Sequence, residues 1–193
     1  MNPNPPAVTF EKTVSDDVTI FLLEPAHAEE YFALIEANRK RLHRWFPWVD
    51  ETKGVDDTRR FISDARRRWV ESGNIVAGIR CGGRIAGFVG LEDIDARNGS
   101  AELRYWIAAE FEGRGLVTQG CSALLDHAFE DLGLHRVQIR TEPGNKRSKA
   151  VAQRLGFVFE GILRGSGRSG DRYVDHEVHS MLEDDWRARR AGN

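Results

Sequence analysis

In EFEGRGLVTQG, Glu110 to Gly120, two glycines flank one arginine between a strand-like run and a helix-like one. Glycine lacks Cβ and adopts left-handed backbone freely, so the main chain there can come close to a ligand. The first turn of a helix offers amides with no intrahelical partner and the positive end of a dipole, which suits phosphate. A Walker A loop needs four residues between its glycines and then Lys and Ser or Thr, whereas Gly113-Arg114-Gly115 runs into Leu116 and Val117. A dinucleotide fingerprint needs a third glycine where Thr118 stands, and an acidic residue about 20 positions on, where Leu134 and His135 stand. What remains is a diphosphate cradle at a helix start, or a turn whose glycines merely redirect the chain. Two glycines alone do not decide between them.

The elements around this turn follow from periodicity. Val18–Leu23 is β-branched and apolar and predicts a first strand, and Ala26 to about Arg41 predicts a helix. LHRWFPWV, Leu42–Val49, is a compact aromatic patch in which Pro47 stops a helix. Asp56 or Asp57 caps a second helix, with Phe61, Ile62, Ala65 and Trp69 as its apolar stripe. Strands are predicted at Ile75–Arg80 and Arg84–Leu91, joined by the hairpin signal CGGR. Ala101–Ile107 alternates with period two and ends just before the glycine turn. A helix over Leu116–Leu132 stops at Gly133. Then come a strand at His135–Thr141, a helix at Asn145–Leu155, a strand at Phe157–Leu163, a flexible turn RGSGRSGDR, a strand at Tyr173–Glu183, and a polar tail beginning at Trp186. This order predicts an α/β layer around a largely antiparallel sheet, with one parallel pair made by a right-handed crossover.

The run LRYWIAAEFEGRGLVTQG, continued by ALLDHAFEDLGLHRVQIRTEPGNKRSKAVAQRLGFVFEG, resembles the GNAT superfamily of acetyl-CoA-dependent N-acetyltransferases. Within it the likeness is to the RimL/RimJ type, which acetylates protein N-termini (the ribosomal-protein type). It is densest over Ala101–Gly161 and looser over LHRWFPWV and DRYVDHEVHSMLEDDW. The Gly-x-Gly turn, N-x-x-S and LGF…EG in this order carry it. The resemblance implies an α+β mixed sheet, mostly antiparallel and seven-stranded, with a splayed parallel pair and flanking helices. The domain is expected over residues 14–187, between a flexible N-terminus at 1–13 and a polar tail at 188–193.

The resemblance also implies the site. The coenzyme A pyrophosphate would sit on Glu112, Gly113, Arg114, Gly115, Leu116 and Val117, reaching the Thr118 amide. The pantetheine arm would pair with the backbone of Trp106, Ile107 and Ala108. Where the family's turn usually begins with Gln or Arg, this chain has Glu110. Ser148 matches the position whose hydroxyl assists the departing sulfur, and Asn145 either caps that helix and touches the coenzyme or caps it alone. Ala152 stands where many relatives carry a tyrosine acid. Glu160 matches a carboxylate at the acceptor site. Glu102, on the central strand, lies where many relatives hold a base, or forms a salt bridge with a nearby arginine.

Acetyl transfer needs a neutral amine, a polarised carbonyl and a proton for the thiolate. An α-amine, with a pKa of about 7.7–8.0, is roughly a tenth neutral at pH 7, whereas lysine at about 10.4 is almost wholly charged. The expected acceptor is therefore a protein N-terminus, with LHRWFPWV walling its site or packing in the core. The alternatives are a small amine such as a polyamine or aminoglycoside, and a module that binds acetyl-CoA without turnover.

Other readings fall away. Lys plus Arg number 28 and Asp plus Glu 30, a net charge of -2, so nucleic acid is not the expected partner. No apolar run reaches the roughly 20 residues of a membrane helix, and MNPNPPAVTF does not read as a signal peptide. Cys81 and Cys121 are read as reduced core thiols, which points to the cytoplasm. HEVH, His176–His179, lacks zinc-motif spacing, so no metal is expected. GSGRSG lacks the spacing of a nucleophile elbow. Arg66–Arg68 read as a solvated helix face. Homodimers are frequent in the resembling family, and nothing in the sequence marks an interface.

Overall fold

A computed structural model describes residues 9–192. Eight strands form one sheet in the order β1-β2-β3-β4-β5-β6-β8-β7. They are β1 (Glu11–Ser15), β2 (Val18–Leu22), β3 (Ile75–Cys81), β4 (Arg84–Asp95), β5 (Ser100–Ile107), β6 (Arg136–Thr141), β7 (Val158–Ser169) and β8 (Arg172–Leu182). The helices are α1 (Ala28–Leu42), α2 (Val55–Ser72), α3 (Leu116–Asp126), α4 (Lys146–Leu155) and α5 (Glu183–Ala191). Every neighbouring pair of strands is antiparallel except β5–β6. This is the expected architecture with one strand more than seven.

The extra strand is β1, which begins inside the stretch expected to fray and runs past its end at residue 13. Glu11, Thr13 and Ser15 are exposed, so this edge strand has no apolar run to betray it. It is held by β2 and by the Leu22 amide, which donates to the Phe10 carbonyl at 2.9 Å. The β3–β4 hairpin turns at Gly82 and Gly83, with φ of 56° and 79°, the backbone that only glycine adopts cheaply in such a tight turn. α1 and α2 pack on each other, α2 also packs against β3 and α1 against β4, and α3 packs against β4 and β5. β3 is consequently buried along nearly its whole length, which explains its continuous apolar run.

Three expected boundaries move. The single helix over Leu116–Leu132 becomes α3 followed by a wider π turn at His127–Asp131. That turn sets the His127 ring 5.2 Å from Phe10 and 6.0 Å from Trp69, centroid to centroid. RGSGRSGDR is mostly strand rather than flexible turn: β7 runs through it and only Gly170 and Asp171 turn the chain. Gly167 serves packing, since a Cβ on it would lie 2.2 Å from the His176 ring, whereas Gly165 and Gly170 take φ of 58° and 57°. The polar tail is largely α5. Its Trp186 stacks at 5.4 Å on Phe129 and donates to Asp126 at 3.2 Å, so the domain's packing extends past the point where a tail was expected to begin.

Candidate functional site

β5 and β6 pair over only three positions, Ser100 with Arg136, Ala101 with Val137 and Glu102 with Gln138. β5 then continues to Ile107 and β6 to Thr141 without pairing to each other, so the strands part and leave main-chain groups free on the inner edge of β5. The gap opens into a cleft of about 1140 Å³, large enough for an extended ligand. Two buried hydroxyls on its wall, Thr58 and Thr141, find no protein partner among the described residues.

Glu112 and Val117, on either side of the glycine turn, line one end of this cleft, while Gly113, Arg114, Gly115, Leu116 and Thr118 lie just outside its wall. Gly113 and Gly115 have φ of 76° and 73°, and a Cβ on Gly113 would meet nothing within 4 Å. The first amide of α3 to bond back is that of Gln119, to the Gly115 carbonyl at 3.0 Å. The amides of Leu116, Val117 and Thr118 therefore point out of the helix end. No acidic residue occupies the first turn of α3. Arg114 lies over the Phe111 ring at 5.4 Å, and Arg154 donates to the Thr118 hydroxyl at 3.4 Å, so cations flank the turn. The Glu112 carboxylate accepts from both Arg41 and Arg147, and its amide donates to the Ala109 carbonyl at 3.3 Å, so the free amides of the turn begin after it. Glu110 is held by Arg84 at 2.9 Å. These residues fit a diphosphate: open glycine backbone, unpaired amides and neighbouring guanidinium groups.

On β5 the expected backbone contacts divide. Ile107 is half-buried on the cleft wall. The Trp106 indole is buried and donates to the Tyr31 hydroxyl at 3.2 Å, and its backbone pairs with Phe88 on β4. Ala108 is a correction. Its amide already donates to the Ala86 carbonyl at 2.9 Å, and its carbonyl accepts from Phe111 at 3.0 Å, because the chain turns there toward the glycines.

Asn145 caps α4, its Oδ1 accepting the Ser148 amide at 3.2 Å, and both residues line the cleft. The Ser148 hydroxyl lies 3.0 Å from the hydroxyl of Tyr105 on the splayed part of β5. Sequence reasoning placed Tyr105 only in an alternating pattern. The missed signal was a phenol on an inward stripe, whose hydroxyl must find a partner when buried. Burial pushes its pKa above the usual tyrosine value.

The carboxylates separate sharply. Glu102 is buried in the cleft wall and accepts from Arg140 at 2.5 Å, Arg104 at 3.2 Å and Gln138 at 3.4 Å. Glu92, its cross-strand neighbour on β4, was not singled out in the sequence. It lines the same cleft, and burial raises its pKa against the pull of Arg104, 3.5 Å away. Glu160, expected at the acceptor site, is not on the cleft wall. Arg136 holds both its oxygens at 2.6 Å, and Ser180 donates to it at 2.8 Å. Chiefly through Arg136, its pKa is lowered to about 2. The β7 bulge between Phe159 and Gly161 turns Glu160 toward the closed end of the β5–β6 pair.

The aromatic patch does both jobs considered for it. Leu42 and Val49 are core, while Trp45, Phe46 and Trp48 line the cleft. A Cβ on Gly144 would lie 3.7 Å from the Trp45 ring, so this loop reaches across to the turn before α4. Cys121 is wholly buried, its thiol pKa raised by burial, as a core residue requires.

Comparison with known proteins agrees with this geometry. A family model described as "Acetyltransferase (GNAT) domain" matches residues 17–158. The chain is 37% identical to "Putative ribosomal N-acetyltransferase YdaF" of Bacillus subtilis (strain 168), over 94% of this chain and all of that one. It is 24% identical to the "Ribosomal-protein-serine acetyltransferase" of Escherichia coli (strain K12), over 89% of this chain and 96% of that one. Among solved structures, the microcin C7 self immunity acetyltransferase MccE, in complex with acetyl-CoA and AMP, superposes with a TM-score of 0.83 at 28% identity. That match covers 88% of this chain and 94% of the other.

Proposed function

The chain belongs to the GNAT acetyltransferase family, and on that premise we propose how its cleft works: acetyl-CoA enters at the glycine turn, and the α-amine of a protein N-terminus meets it at the β5–β6 splay. The chain is an acetyltransferase that acts on an amine. The observation that carries the proposal is the splay itself, with open glycine amides at one end and Ser148 on the wall beside it.

Each residue then has a task. The amides of residues 113–118 and the nearby arginines bind the diphosphate. The free inner edge of β5 near Ile107 pairs with the amide-bearing arm of the coenzyme. The Ser148 hydroxyl donates to sulfur as the C–S bond breaks. Glu92 takes the amine proton, directly or through water, because its raised pKa makes it a better acceptor than an ordinary surface carboxylate. Glu102 is fully engaged by Arg104 and Arg140 and holds them against the cleft wall. Glu160 has no part in transfer.

The acceptor follows from charge and shape. A polyamine site would be expected to concentrate unpaired carboxylates. Here Glu102 and Glu92 are countered by Arg104 and Arg140, and aromatic side chains flank a wide opening. A mixed, open groove suits a peptide end, and relatives bearing ribosomal-protein names support that reading. Turnover should be measured with peptides of varied first residue beside spermidine and an aminoglycoside, with Ser148→Ala as control. Peptide-selective transfer is the expected result. Faster transfer to a small amine would overturn the acceptor assignment, and tight coenzyme binding without any transfer would overturn the enzymatic one.

A further inference from the structure

We propose that Tyr105 is a positioning residue for Ser148: its phenol donates to the serine Oγ and so leaves the serine's own proton free for the departing sulfur. This rests on the assignment of Ser148 as the group that protonates sulfur. Tyr105 stands on β5 beyond its last pair with β6, at the start of the splay, and it lines the cleft. Its one proton has two acceptors in reach, both on Ser148: the carbonyl at 3.2 Å and Oγ at 3.0 Å.

The choice between them decides what the serine can do. If the phenol donates to the carbonyl, the serine hydroxyl can donate to the phenol oxygen, and its proton is turned away from the ligand. If the phenol donates to Oγ, the serine proton must point elsewhere, and the open side is the cleft. The Ser148 carbonyl already serves the α4 ladder as acceptor for the amide four residues on, and the Oγ contact is the shorter. Asn145 holds the Ser148 amide, so the serine backbone cannot swing to escape the phenol. Desolvation keeps the phenol protonated well above neutral pH, so it remains a donor throughout.

The step balances without a net proton from tyrosine. The acceptor nitrogen forms the C–N bond to the acyl carbon, the C–S bond breaks with its electron pair going to sulfur, and sulfur takes the Ser148 proton. The proton that Glu92 takes from the acceptor nitrogen returns through water to restore the serine hydroxyl. Meanwhile the Tyr105 hydrogen bond stabilises the charge that develops on Oγ.

The test is a double-mutant cycle on the full chain with acetyl-CoA and the best peptide acceptor: Tyr105→Phe, Ser148→Ala and both together. Tyr105→Phe keeps the ring, and calorimetric titration with coenzyme A checks that the site still binds. The expected result is a fall in kcat of about tenfold for Tyr105→Phe at unchanged KM for acetyl-CoA. Ser148→Ala falls further, and adding Tyr105→Phe to it costs nothing more. An equal loss from Tyr105→Phe in both backgrounds would mean a packing role and overturn the inference. So would an unchanged kcat in Tyr105→Phe beside a large loss in Ser148→Ala, which leaves the serine assignment standing. Full activity in Ser148→Ala would overturn the serine assignment and this inference with it.

Discussion

Glu102 and Glu160 are both glutamates on strands, both held by arginine, and both candidates for the same work. Glu102 sits at the last paired position of β5 and β6, where the sheet is about to open, and its carboxylate is buried in the cleft wall. Glu160 sits on the β7–β8 arm at the closed end, with its side chain 40% exposed and both oxygens on Arg136. What separates them is register against the splay. Ion pairing alone does not nominate a functional carboxylate, because structural pairs perturb pKa as well.

The largest effect that would sharpen this contrast belongs to Ser148 on the cleft side. Ser148→Ala should lower kcat by about 100-fold with coenzyme A affinity unchanged, read by steady-state rates and calorimetry. Next comes Glu92→Gln. Its kcat/KM for peptide should fall by roughly 10- to 100-fold, because a neutral amide cannot take a proton. The loss should shrink as pH rises and the free α-amine fraction grows, which a pH series would reveal. Gly115→Ala should weaken acetyl-CoA binding by about tenfold, since an L side chain resists the left-handed backbone by about 1–2 kcal/mol and crowds the cradle. Its kcat at saturation should change much less.

The smallest effects lie on the arm. Glu160→Gln should leave kcat within about twofold of the parent, against the range of 100-fold or more usual for a general acid or base. Its consequence is for stability in acid. The folded pKa of Glu160 is depressed to about 2, so its ion pair contributes stability above the unfolded value of about 4.3 and loses it as pH falls toward 2. The carboxylate is partly exposed, so solvent screens the pair, and the contribution is below about 1 kcal/mol. Denaturant melts at pH 6 and pH 3 should show the variant's deficit shrinking in acid. A large activity loss in Glu160→Gln would instead erase the contrast between the two regions.

The two sides also differ in how far the sequence reveals them. The glycine turn is built from backbone, and backbone demands leave marks: Gly113 and Gly115 take φ values that other residues resist. Their place before a helix was readable for the same reason, as were the Gly82–Gly83 hairpin and the Asn145 cap. The acceptor side is built from side chains brought together across strands. Tyr105 meets Ser148 43 residues away, and Glu92 meets Glu102 through strand register, which no local spacing encodes. Glu160 was placed at the acceptor site by resemblance alone, and its pairing with Arg136 and Ser180 depends on the β7–β8 register, which no local spacing encodes. β1 and the outer part of β7 escaped notice because exposed edge and arm strands lack the apolar runs that announce buried ones.

The central claim is that Gly113–Thr118 holds a diphosphate and leads a thioester to Ser148. The most direct test is a crystal structure of the protein with acetyl-CoA. It should show the pyrophosphate oxygens within about 3 Å of the amides of residues 113–118 and the thioester sulfur within hydrogen-bonding reach of Ser148 Oγ. A coenzyme bound with its diphosphate away from this turn, or with its sulfur directed away from Ser148, would contradict the account.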